Sequence, residues 1–475
     1  MRTPIADFVR EYANKSGCRF HMPGHKGRAF LGCEAFDITE IKGADALYEA
    51  EGIIDESEKN ATALFETART LYSTEGSSQC IRAMLQLAVG YANLEYHKEK
   101  GVPESAQERR PYVIAARNVH KAFLYAAALI DFDVVWLYPR EMHSLCSCEI
   151  TTEQLEAESC RQIELHHGRK PAAVYVTSPD YLGGQIDIAT FAKVCHHHDT
   201  ILAVDNAHGA YLHFLDNPKH PMDLGADICC DSAHKTLPVL TGGAYLQISK
   251  QAPVYFAEHA KQAMVLFGST SPSYLTLASL DLCNAYLADG YEKRLAVTVE
   301  MLTAVRKELQ EMGWQVEETD PLKVTIKARE GVTGTALAEL LRTAQIECEY
   351  ADEAYLVLMV TPENGEEDLK RFVAAMQGLT DRYSGRTTAS QEKPLQPVHC
   401  KQNCSIRMAI FSGQETVKVT EALGRTCGEP TVSCPPAIPI AVPGEVMNEK
   451  AIRLFLYYGI ERVSVLKEVS SWEEQ

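Results

Sequence analysis

An aspartate and a lysine at the ends of two apolar runs are the residues of this chain best suited to covalent chemistry. The run ILAV (201–204) leads to Asp205 in VDNAHGAY (204–211), and ADICC (226–230) leads to Ser232, His234 and Lys235 in DSAHKTLPVLTGG (231–243). Polar groups converging where strands stop are how an open α/β sheet builds a site. A lysine placed there can form a Schiff base. A carboxylate beside it can pair with a pyridine nitrogen and make the ring an electron sink, which is what pyridoxal phosphate chemistry requires. Each residue alone has a plain structural explanation, since most lysines are solvated and a strand-end Asp often caps the next helix.

Further segments supply groups of matching kind. GSSQ (76–79) stands before a helix expected over 79–95, where Ile81, Met84, Leu85, Ala88 and Val89 recur at helical spacing. Hydroxyls and free amides at a helix start suit a phosphate, although serine is also a common N-cap. RNVHK (117–121) follows the apolar run YVIAA and opens another helix, so His120 can stack on a flat ring, move a proton near neutral pH, or simply cap. FHMPGHKG (20–27) reads as a rigid loop, because its Pro and Gly break any helical metal pair. FGSTSPSYLTLASL (267–280) is a hydroxyl-rich turn entering an apolar helix, with Pro272 expected at an early helical position. Glu445 follows Val442-Pro443-Gly444 and by itself reads as a turn residue.

The elements that must position these groups are short apolar runs at 112–116, 134–138, 172–177, 201–205, 227–231 and 243–248, most of them separated by helical segments. That alternation predicts an α/β fold with a largely parallel sheet. The opening MRTPIADFVREYANKSG reads as a short amphipathic helix. Near residue 290 a long helix begins, followed by β-α-β-α segments that make a second, smaller unit. The expected division is an N-terminal segment 1–25, a large domain 26–290, a small α/β domain 291–380, a polar linker 381–405 and a C-terminal unit 406–475.

Bulk properties narrow the partners. With 475 residues, 46% hydrophobic and 23% charged, the composition is that of a globular protein of two or three domains. A net charge of -18 argues against a nucleic-acid surface and mildly favours a cationic small substrate. No window approaches the roughly 20 apolar residues of a membrane helix, and no signal-peptide core is present, so a cytoplasmic protein is expected. The fifteen cysteines are odd in number and lie among apolar neighbours, as reduced core residues do. Cys146/Cys148 and His399-Cys400 with Cys404 lack a second pair at zinc spacing, and the triplet His196-His197-His198 falls at a helix end, so no metal is expected.

Together FHMPGHKG, the serine turn at 76–78, RNVHK, TSPDY (177–181), VDNAHGA, DSAHKTLPVLTGG, STSPSY (269–274) and PPAIPIAVPGE (435–445) resemble the Orn/Lys/Arg decarboxylase family of fold type I pyridoxal phosphate enzymes, in its short bacterial form. The resemblance implies a mostly parallel seven-stranded sheet in the large domain and a smaller α/β C-terminal domain. It implies that Lys235 holds pyridoxal 5'-phosphate, Asp205 pairs with its ring nitrogen, and His120 and Ala207 pack its two faces. Ser77, Ser78, Ser232 and His234 would hold the phosphate or the region beside it. A homodimer with shared active sites would bring Ser269 and Thr270 to the phosphate from the partner. Glu445 stands where the family places an acid for the distal cation of the substrate, and His208 lies in the matching motif without an assigned role. The implied activity is α-decarboxylation of arginine, lysine or ornithine, arginine slightly favoured, to a polyamine or its precursor and CO2.

Four departures are visible: DNAH for DEAH, DSAHK for QSTHK, QCIRAM for a glycine-asparagine pattern, and LTGG for LTQG. The resemblance begins almost at the N-terminus, so the wing domain of the large decarboxylases, and the decamer built with it, are not expected. An aminotransferase or lyase on the same fold stays open, as does a catalytically silent member with a binding or regulatory role.

Overall fold

The computed structural model describes residues 1–15, 17–100, 110–329, 331–383, 395, 397–432 and 437–467. Most of the expected linker, 384–394 and 396, and the start of the expected proline-rich stretch, 433–436, lie outside the described residues.

Seven strands form the main sheet: β1 (Arg69–Ser73), β2 (Tyr112–Ala116), β3 (Asp133–Leu137), β4 (Ala173–Thr177), β5 (Leu202–Asp205), β6 (Ile228–Asp231) and β7 (Ala244–Ile248). Their order is β1-β7-β6-β5-β4-β2-β3. Neighbours from β6 to β3 pair in parallel, and β7 runs antiparallel to both β6 and β1. The strands read as continuous apolar runs because both faces are covered. Their period-two alternation sorts them: Val113, Ala115, Tyr175, Ala203 and Cys230 pack under helices Ser77–Lys100, Lys121–Ile130 and Val254–Val265. Ile114, Val174, Val176, Leu202 and Val204 pack under helices Thr152–Leu165 and Ile188–His197 on the other face.

β1 escapes the apolar-run reading because its sequence is RTLYS. Thr70 and Ser73 are nonetheless buried and satisfied, Thr70 by Thr67 and Gln247, Ser73 by Gln79. Another expectation is corrected at the helix Tyr274–Ala288. Its cap is Ser273, whose side chain accepts the Thr276 amide, so Pro272 lies before the helix and not in its first turn.

The small unit holds an antiparallel sheet of β8 (Gln315–Val316), β9 (Lys323–Lys327), β10 (Tyr350–Ala351) and β11 (Tyr355–Met359), ordered β10-β11-β9-β8. It shares one core with the N-terminal helix Pro4–Asn14 and the helix Tyr274–Ala288. Asp281 fixes that joint: its buried carboxylate accepts the amides of Ile5 and Ala6, both at 2.9 Å, and the Ser57 hydroxyl at 2.6 Å. Two strand pairs, β12 (Lys401–Gln402) with β14 (Glu445–Val446) and β13 (Gln414–Lys418) with β15 (Arg462–Leu466), organise the C-terminal unit. It docks on the segment after β2, where Arg117 donates to the carbonyls of Pro439 and Ile440 at 2.8 and 2.9 Å.

The geometric consequence is simple. β1, β2, β4, β5 and β6 all end on the same edge of the main sheet, and the residues that follow them converge there.

Candidate active site

β5 and β6 are parallel neighbours with Asp205 paired to Cys230, so Asp205 and the residues after Asp231 emerge side by side. The Asp205 carboxylate is buried and accepts the Tyr175 hydroxyl at 3.1 Å and the Ala207 amide at 3.3 Å. Burial raises its pKa and the positive charge of Lys235 opposes that rise. In return, burial lowers the pKa of Lys235 and Asp205 opposes that fall. Each group therefore lies in the other's field, and the buried carboxylate stays charged only beside a cation. Lys235 Nζ stands 3.0 Å from His208 Nε2 and 5.9 Å from the centroid of the Tyr181 ring. Burial, then Lys235, push the His208 pKa well below its usual range, so its imidazole is neutral and can accept from the amine. Among the described residues, His208 Nδ1 and Thr177 Oγ1 are buried without a hydrogen-bond partner.

His120 caps the helix Lys121–Ile130: its Nδ1 accepts the Ala122 amide at 3.1 Å, which leaves the ring proton on Nε2. Burial first, then the charge of Lys235, lower its pKa to about 4. Unfolded, the same imidazole titrates near its ordinary 6.5. The unfolded chain thus takes up this proton first, and stability falls as pH drops from 6.5 through 4. In cofactor-free protein, His120→Asn should flatten that part of the pH–stability curve measured by urea unfolding. An unchanged slope would mean that His120 titrates normally in the folded chain.

At the other end of the cleft, the helix begins at Ser77 and not at residue 79, so Ser77 and Ser78 form its first turn. The Ser232 hydroxyl donates to Ser77 Oγ at 2.8 Å, joining the ends of β1 and β6. His234 donates from Nδ1 to the Gly243 carbonyl at 2.9 Å. The Gly76 amide donates to the Gly242 carbonyl at 2.8 Å, and a side chain at Gly242 would stand 2.8 Å from the Thr74 carbonyl oxygen. Gly242 also has φ +94°, so glycine in LTGG is what this backbone requires.

The other departures have physical reasons as well. Asn206 donates to Asp231 at 2.6 Å, deep under the site. Asn206 stands at the Glu position of DEAH and Asp231 at the Gln position of QSTHK, so this chain carries amide and acid in exchanged places at two positions that touch. Asp231 is further held by His220 at 3.2 Å and by the Gln247 amide. Gln79 replaces the glycine-asparagine pattern with a buried tether: its amide donates to Tyr48 at 2.7 Å and to the Met264 carbonyl at 2.8 Å.

Not every expected residue gathers at this place. Ala207 is buried beside Asp205 in sequence. Ser269 and Thr270 are exposed, with Ser269 Oγ accepting the Ser271 amide. Glu445 is 1% exposed and faces Arg117 at 3.6 Å while accepting the Val442 amide at 2.8 Å. Burial raises its pKa and Arg117 opposes the rise. Sequence reasoning missed Tyr175, which holds Asp205, and Glu349, which is exposed and accepts the Tyr181 hydroxyl at 2.5 Å. The charge of Glu349 raises the pKa values of both Lys235 and His234, which places it over the same cleft. Tyr175 carries no motif signal beyond its strand, and Glu349 has none in IECEY.

The arrangement fits pyridoxal phosphate: a buried carboxylate for the ring nitrogen, an amine for the aldehyde carbon, a neutral imidazole, and a hydroxyl-lined helix start for the phosphate. The family model "Orn/Lys/Arg decarboxylase, major domain" matches residues 3–328, and that for the C-terminal domain matches residues 386–462. An arginine decarboxylase of Bacillus subtilis is 27% identical over 477 residues, covering 95% of this chain and 92% of its own length. Among solved structures, the lysine decarboxylase of Francisella novicida superposes with a TM-score of 0.79 at 18% identity, covering 98% of this chain and 81% of its own. The constitutive lysine decarboxylase of E. coli gives 0.76 at 16% identity, with coverage of 98% and 82%.

Proposed function

The chain belongs to the Orn/Lys/Arg decarboxylase family, and we propose that it is a pyridoxal phosphate-dependent decarboxylase of a basic amino acid, arginine before lysine or ornithine. The observation that carries this reading is Asp205 at the end of β5 and Lys235 in the short helix Ala233–Thr236 that follows its parallel neighbour β6, each in the other's field. Arginine is favoured because similar curated chains bear that activity in their names.

When bound, pyridoxal phosphate supplies the electron sink for the pair left at Cα as CO2 departs. In this proposal Lys235 attaches the cofactor through Nζ. Asp205, held by Tyr175, keeps a proton on the ring nitrogen. His120 and Ala207 pack the faces of the ring. Ser77, Ser78, Ser232 and His234 hold the phosphate side, and Ser269 and Thr270 complete it from a second copy of the chain. His208 accepts from Lys235 Nζ and so orients the amine that returns a proton to Cα. Glu445 keeps the role of distal acid, although Arg117 already neutralises it here. Glu349 is the carboxylate we add for the substrate's cationic end.

A homodimer is part of the proposal. Phe20, Phe30 and Leu31, at 93%, 79% and 90% exposure, form an apolar loop region that a second copy would cover. A reducing, cytoplasmic setting is supported by the cysteines, free wherever described. Among the described residues no helix is long and apolar enough to cross a membrane.

The test is product analysis after supplying pyridoxal phosphate with arginine, lysine and ornithine in turn. Agmatine with matching CO2 is the expected result, and a keto acid in its place would point to an aminotransferase. Glu349→Gln should raise KM for the preferred substrate roughly tenfold with kcat nearly kept, the loss of one charge-assisted contact of about 1.5 kcal/mol. An unchanged KM would remove Glu349 from substrate recognition.

A further inference from the structure

Away from the cleft, four donors meet between two helices on one face of the main sheet. Glu156 and Cys160 stand one turn apart on the helix Thr152–Leu165, and His197 and His198 close the helix Ile188–His197. Glu156 Oε1 lies 3.0 Å from His198 Nε2. Cys160 Sγ lies 3.5 Å from the same oxygen and 3.9 Å from the same nitrogen. The ligand atoms of Glu156, His197 and His198 fall within 4.8 Å of one another.

We propose that Glu156, Cys160, His197 and His198 form a structural site for a zinc-class divalent cation that clamps these two helices. The donors are the kinds zinc takes: two imidazoles, a carboxylate and a thiolate. Tetrahedral bonds of about 2.0 to 2.3 Å put ligand atoms roughly 3.3 to 3.8 Å apart, close to the spacing already present for three of the four. His197 is exposed and closes the set by a side-chain rotation. Charge balances, since the dication meets one carboxylate and one thiolate, and binding releases the Cys160 thiol proton to solvent. Four protein ligands leave no open position, so the site is a staple and not a catalytic centre. The neighbouring acid Asp199 is already taken by Lys170 at 2.8 Å. A second cluster among the described residues, His220 with Cys229 and Asp231, is not available, because Asn206 and Gln247 already donate to the two Asp231 oxygens.

The experiment uses the full chain loaded with its cofactor, stripped with a chelator and held in a non-thiol reductant. Cobalt(II) is titrated first and zinc is then used to displace it. Wild type should take up cobalt saturably with a near-ultraviolet thiolate-to-cobalt band, and zinc should abolish the band. Cys160→Ser should lose the band and bind zinc at least tenfold more weakly, and a His197→Ala/His198→Ala variant should bind no cation there. Zinc should raise the Tm of wild type by several degrees, raise that of Cys160→Ser less and leave the double-histidine variant unmoved, since only the folded chain presents the site. No saturable uptake by wild type, or equal uptake by wild type and both variants, would overturn the proposal. Decarboxylation in the variants should stay at the wild-type level, because none of the four residues reaches the cleft.

Discussion

Lys235→Ala should abolish decarboxylation, lowering turnover by a factor on the order of 10^4 while the chain stays folded. The size follows from the two tasks proposed for this one amine: it would attach the cofactor and return a proton to the reacting carbon. Other lysines cannot substitute. Lys323 is more deeply buried, but its Nζ is committed to Asp320 at 2.9 Å and to the Asp180 carbonyl at 3.0 Å. Lys26 donates to the His21 carbonyl, in the loop that precedes the large sheet. Borohydride reduction of the loaded protein, followed by peptide mapping, should label Lys235. Label on Lys26, Lys121 or Lys323 would move the attachment point and sink the assignment.

Asp205→Asn should lower kcat on the order of 10^3-fold with the fold intact. The amide keeps an oxygen for the Tyr175 hydroxyl, so the local hydrogen bond survives and only the charge is lost. Without that charge the support proposed for a proton on the ring nitrogen is lost, and the electron sink would weaken. Loss of the opposing charge should also lower the pKa of Lys235 further, since Asp205 is the group that most raises it. The pH at which the bound cofactor changes colour in wild type and Asp205→Asn, together with kcat, checks both effects. Near-normal turnover in the variant would contradict the role given to Asp205.

These two residues were legible before any fold was known because their signal is local. An apolar run of strand length ends in a carboxylate, another ends in a lysine among hydroxyls, and a doubly wound sheet brings such ends to one edge. The same logic located Ser232, His234 and His120. It placed the strands to within a residue or two where they read as apolar runs, and it missed β1, whose Thr70 and Ser73 are buried only because Gln247 and Gln79 satisfy them. It placed the helix start two residues late, because serine reads equally well as cap and as first turn.

What the sequence determined by itself was thus the fold class, the family and the paired acid and lysine, each encoded in contiguous stretches. What only the tertiary structure decided were contacts between residues far apart in the chain. Asn206 meeting Asp231 turns two apparent departures into one exchanged pair. Tyr175 braces Asp205 from the next strand, and Glu349 reaches the cleft from the small sheet by way of Tyr181. Glu156 and Cys160 come to His197 and His198 from another helix, so a histidine run with no metal spacing of its own acquires a ligand set. A pattern along the chain records which face a residue presents, but which side chains then meet across elements depends on packing, and no local spacing carries that information.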